Sequence, residues 1–247
     1  KGDTPPASPT DGQPVTLASP TTSTAEDAGL DKTTRYSYAV FTRDRKDNTN
    51  PTATTLTART RDNNDSVCAQ PLTQDTTWSP DYRDVYVIDC QFVIPDGVTL
   101  TIEPGTVVKS FDTGVTVAAG GVLTAVGTGE APVVFTDWRD DTVGGDTNGD
   151  GNDSTPENGS ADAILLGQSE GSWQQMTLIH VNMRYVNPVT SYNYDNRSSK
   201  LAQVRITDSR FVAQDDVPGD PHASITCQDA TVTGSTFTGV ALNLSYC

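Results

Sequence analysis

Leu178-Ile-His-Val-Asn-Met-Arg-Tyr185, Val204-Arg-Ile-Thr-Asp-Ser-Arg-Phe211 and Ala230-Thr-Val-Thr-Gly-Ser-Thr-Phe237 are three versions of one phrase, offset by 26 residues. Each alternates apolar and polar positions and ends on an aromatic, which is the period of a β-strand. One such strand buries too little to be stable. Strands recurring at a fixed spacing can stack on their equivalents, so that their apolar positions join into one continuous core. On this reading Tyr185, Phe211 and Phe237 form an aromatic ladder, and His180, Ile206 and Val232 share a packing position. A β-sandwich would also supply short alternating strands, but it does not require aromatics aligned at one period.

A second repeat lies upstream. Gly97-Val-Thr-Leu-Thr-Ile-Glu-Pro-Gly-Thr-Val-Val108 aligns with Gly114-Val-Thr-Val-Ala-Ala-Gly-Gly-Val-Leu-Thr-Ala125. Both are short strands broken by a tight turn, Pro104-Gly105 in one and Gly120-Gly121 in the other. Strands of a few residues recurring every 17 to 26 residues are what a β-solenoid needs.

Composition agrees. Thr and Val favour pleated, half-buried surfaces, while Asn, Asp and Gly favour turns. No stretch has the period of a long amphipathic helix, so the class is all-β. The 247 residues carry a formal charge of −16. A polyanion would be repelled, so nucleic acid and anionic membrane surfaces are poor partners and divalent cations good ones. No apolar run is long enough to span a bilayer. The chain opens at Lys1 in a polar, Pro-rich stretch, which reads as a mature or excised portion of a longer secreted protein.

The strongest chemical signal is Asp146-Thr-Asn148-Gly-Asp150-Gly151-Asn152-Asp-Ser-Thr-Pro156-Glu157. It fits the calcium-loop pattern at every defined position. Oxygen ligands at alternate residues let one loop wrap a hard cation, the Gly at the sixth position permits the sharp turn, and the Glu at the twelfth can close the shell bidentately. Asp146, Asn148, Asp150, Asn152 and Glu157 are the candidate calcium ligands, and Asp140 and Asp141 lie close enough upstream to supplement them. Pro156 argues against an entering helix, so the expectation is a structural calcium loop without the helix–loop–helix fold. A solvated acidic loop without metal is the alternative.

The four cysteines, Cys68, Cys90, Cys227 and Cys247, include no C-x-x-C, and the histidines are His180 and His222 alone. That disfavours zinc. An even count suggests disulfides and an oxidising compartment. Three pairings are open. Cys68–Cys90 and Cys227–Cys247 is favoured, each closing a loop of about 20 residues and contributing roughly 3 kcal/mol on the loop-entropy model.

Two modules are expected, 1–65 and 66–247, the second carrying an acidic insertion at about 137–160. In the first, Tyr36, Tyr38 and Val40 alternate like a strand, Asp44 to Pro51 reads as a loop, and Thr52 to Thr60 as a returning strand. Leu30-x5-Tyr36-x-Tyr38-x-Val40 resembles the end of a fibronectin type III domain, in which leucine and tyrosine form a corner before the penultimate strand. The resemblance spans about residues 10–62, lacks the leading strands, and implies a spacer or interaction module.

The second module resembles bacterial secreted proteins with a right-handed parallel β-helix, the architecture of pectate lyases. Val98-Thr-Leu-Thr-Ile-Glu-Pro-Gly-Thr-Val-Val108 resembles their opening coil. Gly144-Gly-Asp-Thr-Asn-Gly-Asp-Gly151, following Phe135-Thr-Asp-Trp-Arg-Asp-Asp141, resembles a long loop leaving the first coils. Ser160-Ala-Asp-Ala-Ile-Leu-Leu166 stands where the relatives often carry Trp-Gly-Gly, so the packing there differs. The resemblance implies a polysaccharide lyase or hydrolase as one reading. Asp208, Arg210, Arg205, Asp215 and Asp216 are then the groups to examine, since a lyase needs an arginine base and a glycosidase two facing carboxylates. An acidic polysaccharide suits a chain of this charge poorly. Trp78, Trp138 and Trp173 could stack on sugars, or cover the flanks of a solenoid.

The leading expectation is a non-catalytic extracellular or cell-surface protein, structural or adhesive, with a calcium-stabilised β-helix. Its partners would be a carbohydrate or a surface protein, with no nucleic acid and no membrane insertion. A lyase or hydrolase is the second reading. A filament subunit, self-assembling through open coil ends, is the third.

Overall fold

The computed structural model describes residues 2, 4–15, 25, 27–31, 34–46, 48–59, 66–68, 71–167, 173–191, 202–213, 221–226 and 229–245. Every regular element among them is a strand. The chain divides into two compact units, Lys1–Asn63 and Asn64–Cys247.

The first unit holds one antiparallel pair, β1 (Arg35–Val40) and β2 (Thr54–Arg59), with Tyr36 opposite Ala58 and Tyr38 opposite Leu56. The joining loop is pinned by Asp44, whose Oδ1 accepts from the backbone N–H groups of Lys46 and Asn48. The Tyr36 hydroxyl accepts a hydrogen bond from the Asp31 N–H at 3.0 Å. Two strands are a small part of a fibronectin-type sandwich, and the described residues of this unit go no further.

The second unit runs β3 (Thr76–Trp78), β4 (Tyr86–Ile88), β5 (Phe92–Ile94), then β6 (Thr99–Ile102), β7 (Val107–Ser110), β8 (Val115–Val117). It continues with β9 (Val122–Val126), β10 (Val133–Asp137), β11 (Asp162–Leu166), then β12 (Gln174–Ile179), β13 (Val181–Arg184), β14 (Asn187–Ser191). It closes with β15 (Ala202–Thr207), β16 (Arg210–Val212), β17 (His222–Thr226), then β18 (Asp229–Thr233), β19 (Thr236–Thr238), β20 (Ala241–Ser245). Successive triplets stack, giving three parallel sheets of six strands each. This is a parallel β-solenoid, and parallel crossovers of this kind are right-handed.

Inward residues form vertical columns. Leu100 lies opposite Leu123, Leu123 opposite Met176, and Met176 opposite Val204. Leu100, Leu123, Leu178, Phe135 and Phe211 are fully buried. Outward residues alternate with them, as in the buried–exposed pattern of β15. Tight turns make the corners. Pro104-Gly105 and Ala119-Gly120 each place glycine third in a turn at φ 78° and 74°, a conformation that side chains with a Cβ resist.

The true repeat differs from the sequence alignment in two places. The 17-residue alignment of Gly97–Val108 with Gly114–Ala125 matched strands of different sheets, since β6 stacks on β9 while β8 stacks on β5. One coil contains three strand–turn units that look alike, so similarity appears at less than a coil. The aromatic ladder is also shorter than expected. Phe211 stacks on Phe237 with ring centroids 4.5 Å apart and planes 10° apart. The residue opposite Phe211 on the other side is Met183, and Tyr185 falls two residues on, at a corner with φ 63°. The coil there is longer: Val181 N–H bonds Ser209 across 28 residues, while Ser209 bonds Ser235 across 26. His180 likewise sits at a corner with φ 48° rather than inside, and Leu178 is the residue opposite Ile206.

The Thr-x-Ser corners explain why part of the repeat is so regular. Ser209 Oγ donates to the Thr207 carbonyl and accepts the Val181 N–H; Ser235 does the same for Thr233 and Ser209. Each serine thus satisfies one turn carbonyl and one N–H of the coil beside it.

At the N-terminal end of this unit Trp78 stacks on Tyr86 at 4.7 Å and meets Phe92 at 5.2 Å. Cys68 and Cys90 form the expected disulfide. Cys227 and Cys247 lie outside the described residues.

Because Leu123 is fully inside and Thr124 points out, Leu123→Ala should cost about 2–5 kcal/mol and Thr124→Ala less than about 0.5 kcal/mol. Denaturant unfolding of the two variants checks this, and equal losses would contradict the assigned facing.

Candidate cation site on the solenoid flank

Between β10 and β11 the chain leaves the solenoid for the acidic insertion and lays it against the outer face of the sheet that contains β4, β7, β10 and β13. The contact is close. A Cβ on Gly144 would come within 2.5 Å of Val85 Cγ2 and 3.4 Å of Val107 Cγ1.

Three polar side chains on successive strands hold it there. Lys109 points outward from β7, since Val108 beside it faces the core. It is nevertheless fully buried, because the insertion covers it, and its Nζ donates to the Gly145 carbonyl at 2.5 Å. Thr136 lies opposite Lys109 on β10 and donates to Asp140 Oδ2 at 2.6 Å. Arg184 on β13 reaches the same oxygen through Nε at 2.8 Å and a second nitrogen at 2.7 Å, and also donates to Thr142. Asp140 itself is fully buried. A buried carboxylate tied to a guanidinium and to the hydroxyls of Thr136 and Thr142 is costly to disrupt, because losing one partner strands the charge.

A second tie closes the root of the insertion. Asp137, almost fully buried at the end of β10, takes Arg139 Nε at 2.9 Å and a terminal nitrogen at 2.8 Å. Ser160, at the far end of the insertion, donates to Asp137 Oδ2, so one carboxylate joins exit and return. Trp138 leaves the strand packed on Phe111 at 4.3 Å and is thereby used as flank cover.

Inside this frame the calcium-loop residues fold on themselves. Asp146 Oδ1 accepts the Gly149 N–H at 2.7 Å and its Oδ2 the Gly151 N–H at 2.9 Å. Those backbone bonds, that from Gly151 first, hold the Asp146 carboxyl below the ordinary range, with the Lys109 charge adding to them. Asn148 gives both amide hydrogens away, to Asp150 Oδ2 and Ser154 Oγ, at 2.8 and 2.9 Å. Ser154 also donates to Asp150 Oδ2.

Carboxylate oxygens of Asp141, Asp146 and Asp150 lie within 4.8 Å of one another. Asp141 Oδ1, Asn148 Oδ1 and Asp150 Oδ1 are shielded from solvent and have no hydrogen-bond partner. Buried unpartnered oxygens are uncommon and costly. Three carboxylates this close, with the Asn148 side chain hydrogen-bonded to Asp150, are oxygen donors of the kind that a hard divalent cation such as calcium takes.

Of the five ligand candidates in the loop, Asp146, Asn148 and Asp150 therefore come together. Asn152 is exposed in the following turn, and Glu157 lies beside Arg139 at 3.6 Å. Asp141, upstream of the loop pattern, takes a place in the cluster, while Asp140 is committed to Arg184. Sequence reasoning missed Lys109, Thr136 and Arg184. A lysine directly after two valines in a short strand, Val107-Val-Lys-Ser110, was the available signal.

The other candidates are dispersed. Arg205 and Arg210 point outward from β15 and β16 on different sheets, with Asp208 at the corner between them at φ 49°. Asp215 and Asp216 lie outside the described residues. Trp78 is buried and Trp173 partly exposed.

Residues 71–150, from the first strand triplet into the acidic insertion, match the family model described as pectate-lyase like beta helix domain. No curated protein and no solved structure matches the chain significantly.

Arg184→Met should destabilise the second unit by about 3–5 kcal/mol, because it leaves Asp140 buried and unpaired. Arg184→Met combined with Asp140→Asn should recover part of that loss. Denaturant unfolding of the single and double variants measures the coupling; strictly additive losses would show that the pair does not hold the insertion.

Proposed function

We propose that this chain is a non-catalytic extracellular or cell-surface protein, structural or adhesive, whose β-helix is braced by calcium in the acidic insertion. The observation that carries the reading is the group of three shielded oxygens without partners beside mutually close carboxylates. Asp141, Asp146, Asn148 and Asp150 would hold the ion. Calcium there would supply charge and coordination, relieving carboxylate repulsion and giving each stranded oxygen a partner. The disulfide between Cys68 and Cys90 suits an oxidising, extracellular setting. The first unit would act as a fibronectin-like spacer, and the flat solenoid flanks as faces for a carbohydrate or surface-protein partner.

A polysaccharide lyase or glycoside hydrolase is the second reading, and the family-model match favours it. Against it, the arginines and aspartate proposed for catalysis do not share a face among the described residues.

Thermal unfolding in saturating calcium and in chelator separates the metal-braced solenoid from a metal-free one. The midpoint should rise with calcium in the wild type, by an amount that grows with calcium concentration. It should not move in Asp150→Ala. Superimposable wild-type curves with and without calcium would contradict the brace. Release of unsaturated oligosaccharide from any tested polysaccharide, lost in Arg210→Ala, would favour the enzyme.

A further inference from the structure

At the N-terminal end of the solenoid lies a cleft of about 320 Å³ that neither the core nor the acidic insertion uses. Its buried lining includes Trp78 and Tyr86, stacked on each other, and its exposed lining includes Thr73, Gln74, Thr77 and Tyr82. We infer that this cleft binds a neutral sugar, one pyranose ring at the end of an oligosaccharide. The inference rests on the adhesive reading above and gives its carbohydrate partner a place apart from the cation site.

Size, charge, hydrogen bonding and rigidity carry it. The volume is at the lower end of the range for small-molecule sites, which suits a single ring. The chain has 32 Asp and Glu, yet none lines the cleft among the described residues. Asp75, between two lining residues, is committed to the Thr99 N–H at 2.8 Å. Arg83 is the one charged lining residue, and it is engaged: it donates to the Ser66 carbonyl at 3.1 Å and lies over the Tyr86 ring at 5.7 Å. A cation therefore finds no carboxylate in the lining, and an anion finds only a guanidinium that is already bonded. The hydroxyls of Thr73 and Thr77 and the amide of Gln74 can each donate and accept, as sugar hydroxyls do. Tyr82, 41 % exposed, adds an apolar ring for the C–H face of the sugar. The wall that carries it is fixed in advance. The Tyr86 hydroxyl accepts the Ser79 N–H at 2.8 Å and donates to the Ser79 carbonyl at 2.9 Å. That carbonyl also takes the N–H groups of Tyr82 and Arg83, at 3.0 and 3.3 Å. A preformed wall loses little freedom when a ligand binds.

NMR titration of the full chain with glucose, galactose, mannose and N-acetylglucosamine tests this at the backbone amides. At least one of these sugars should shift the amides of Thr73 to Trp78 and of Tyr82 and Arg83, and the shifts should saturate. Tyr82→Ala should weaken that binding about tenfold, the loss of one aromatic contact, with the unfolding midpoint unchanged. Gln74→Ala should weaken it as well. No shift with any of the four sugars would overturn the cleft as a sugar site and leave the calcium brace untouched. Saturable shifts confined to a solenoid flank would overturn the cleft and keep the adhesive reading. Tighter binding of galacturonate than of galactose would overturn the neutrality of the ligand.

Discussion

Parallel stacking in register is the constraint on which the rest depends. A triplet of short strands has no core of its own, and it becomes stable only when Leu100, Leu123, Met176 and Val204 fall above one another from coil to coil. The same register that aligns the inward columns also aligns the outward ones. It sets Lys109 and Thr136 side by side, with Arg184 following on the next strand, and so makes a polar column on a sheet face. The insertion is docked to that column. Its position thus follows from the solenoid repeat together with its own Asp140, Thr142 and Gly144.

This docking changes the chemistry of what it carries. A free acidic Gly/Asn loop would hold its carboxylates apart in water. Pressed against Val85, Val107 and Lys109, and fixed at both ends through Asp137, the loop keeps Asp141, Asp146 and Asp150 close together. Lys109 and Arg184 offset part of the negative charge from below. Any cation held there would be linked to the stability of the flank through the same few residues.

Much of the architecture was legible in the sequence because strand alternation and glycine turns are local signals. Phe211 and Phe237 could be matched, since their coils share one Thr-x-Ser corner and one length. Tyr185 could not, because a coil longer by two residues moves Met183 into the column, and no local pattern marks that difference. The loop pattern from Asp146 to Glu157 marked the segment in which Asp146 and Asp150 come close to Asp141, since residue spacing is also local. Which oxygens gather was not legible. Asp141 joins and Glu157 stands aside because of packing against Arg139 and the sheet, which sequence spacing does not encode. Lys109 reads as a surface residue until the insertion covers it.

The most direct test of the account is a crystal structure of the full chain grown with calcium, with the ion identified by its anomalous scattering. An ion should appear with ligand distances of about 2.3–2.6 Å to oxygens of Asp141, Asp146, Asn148 and Asp150. Water or a lysine ammonium filling that space at saturating calcium, with no anomalous signal, would contradict it.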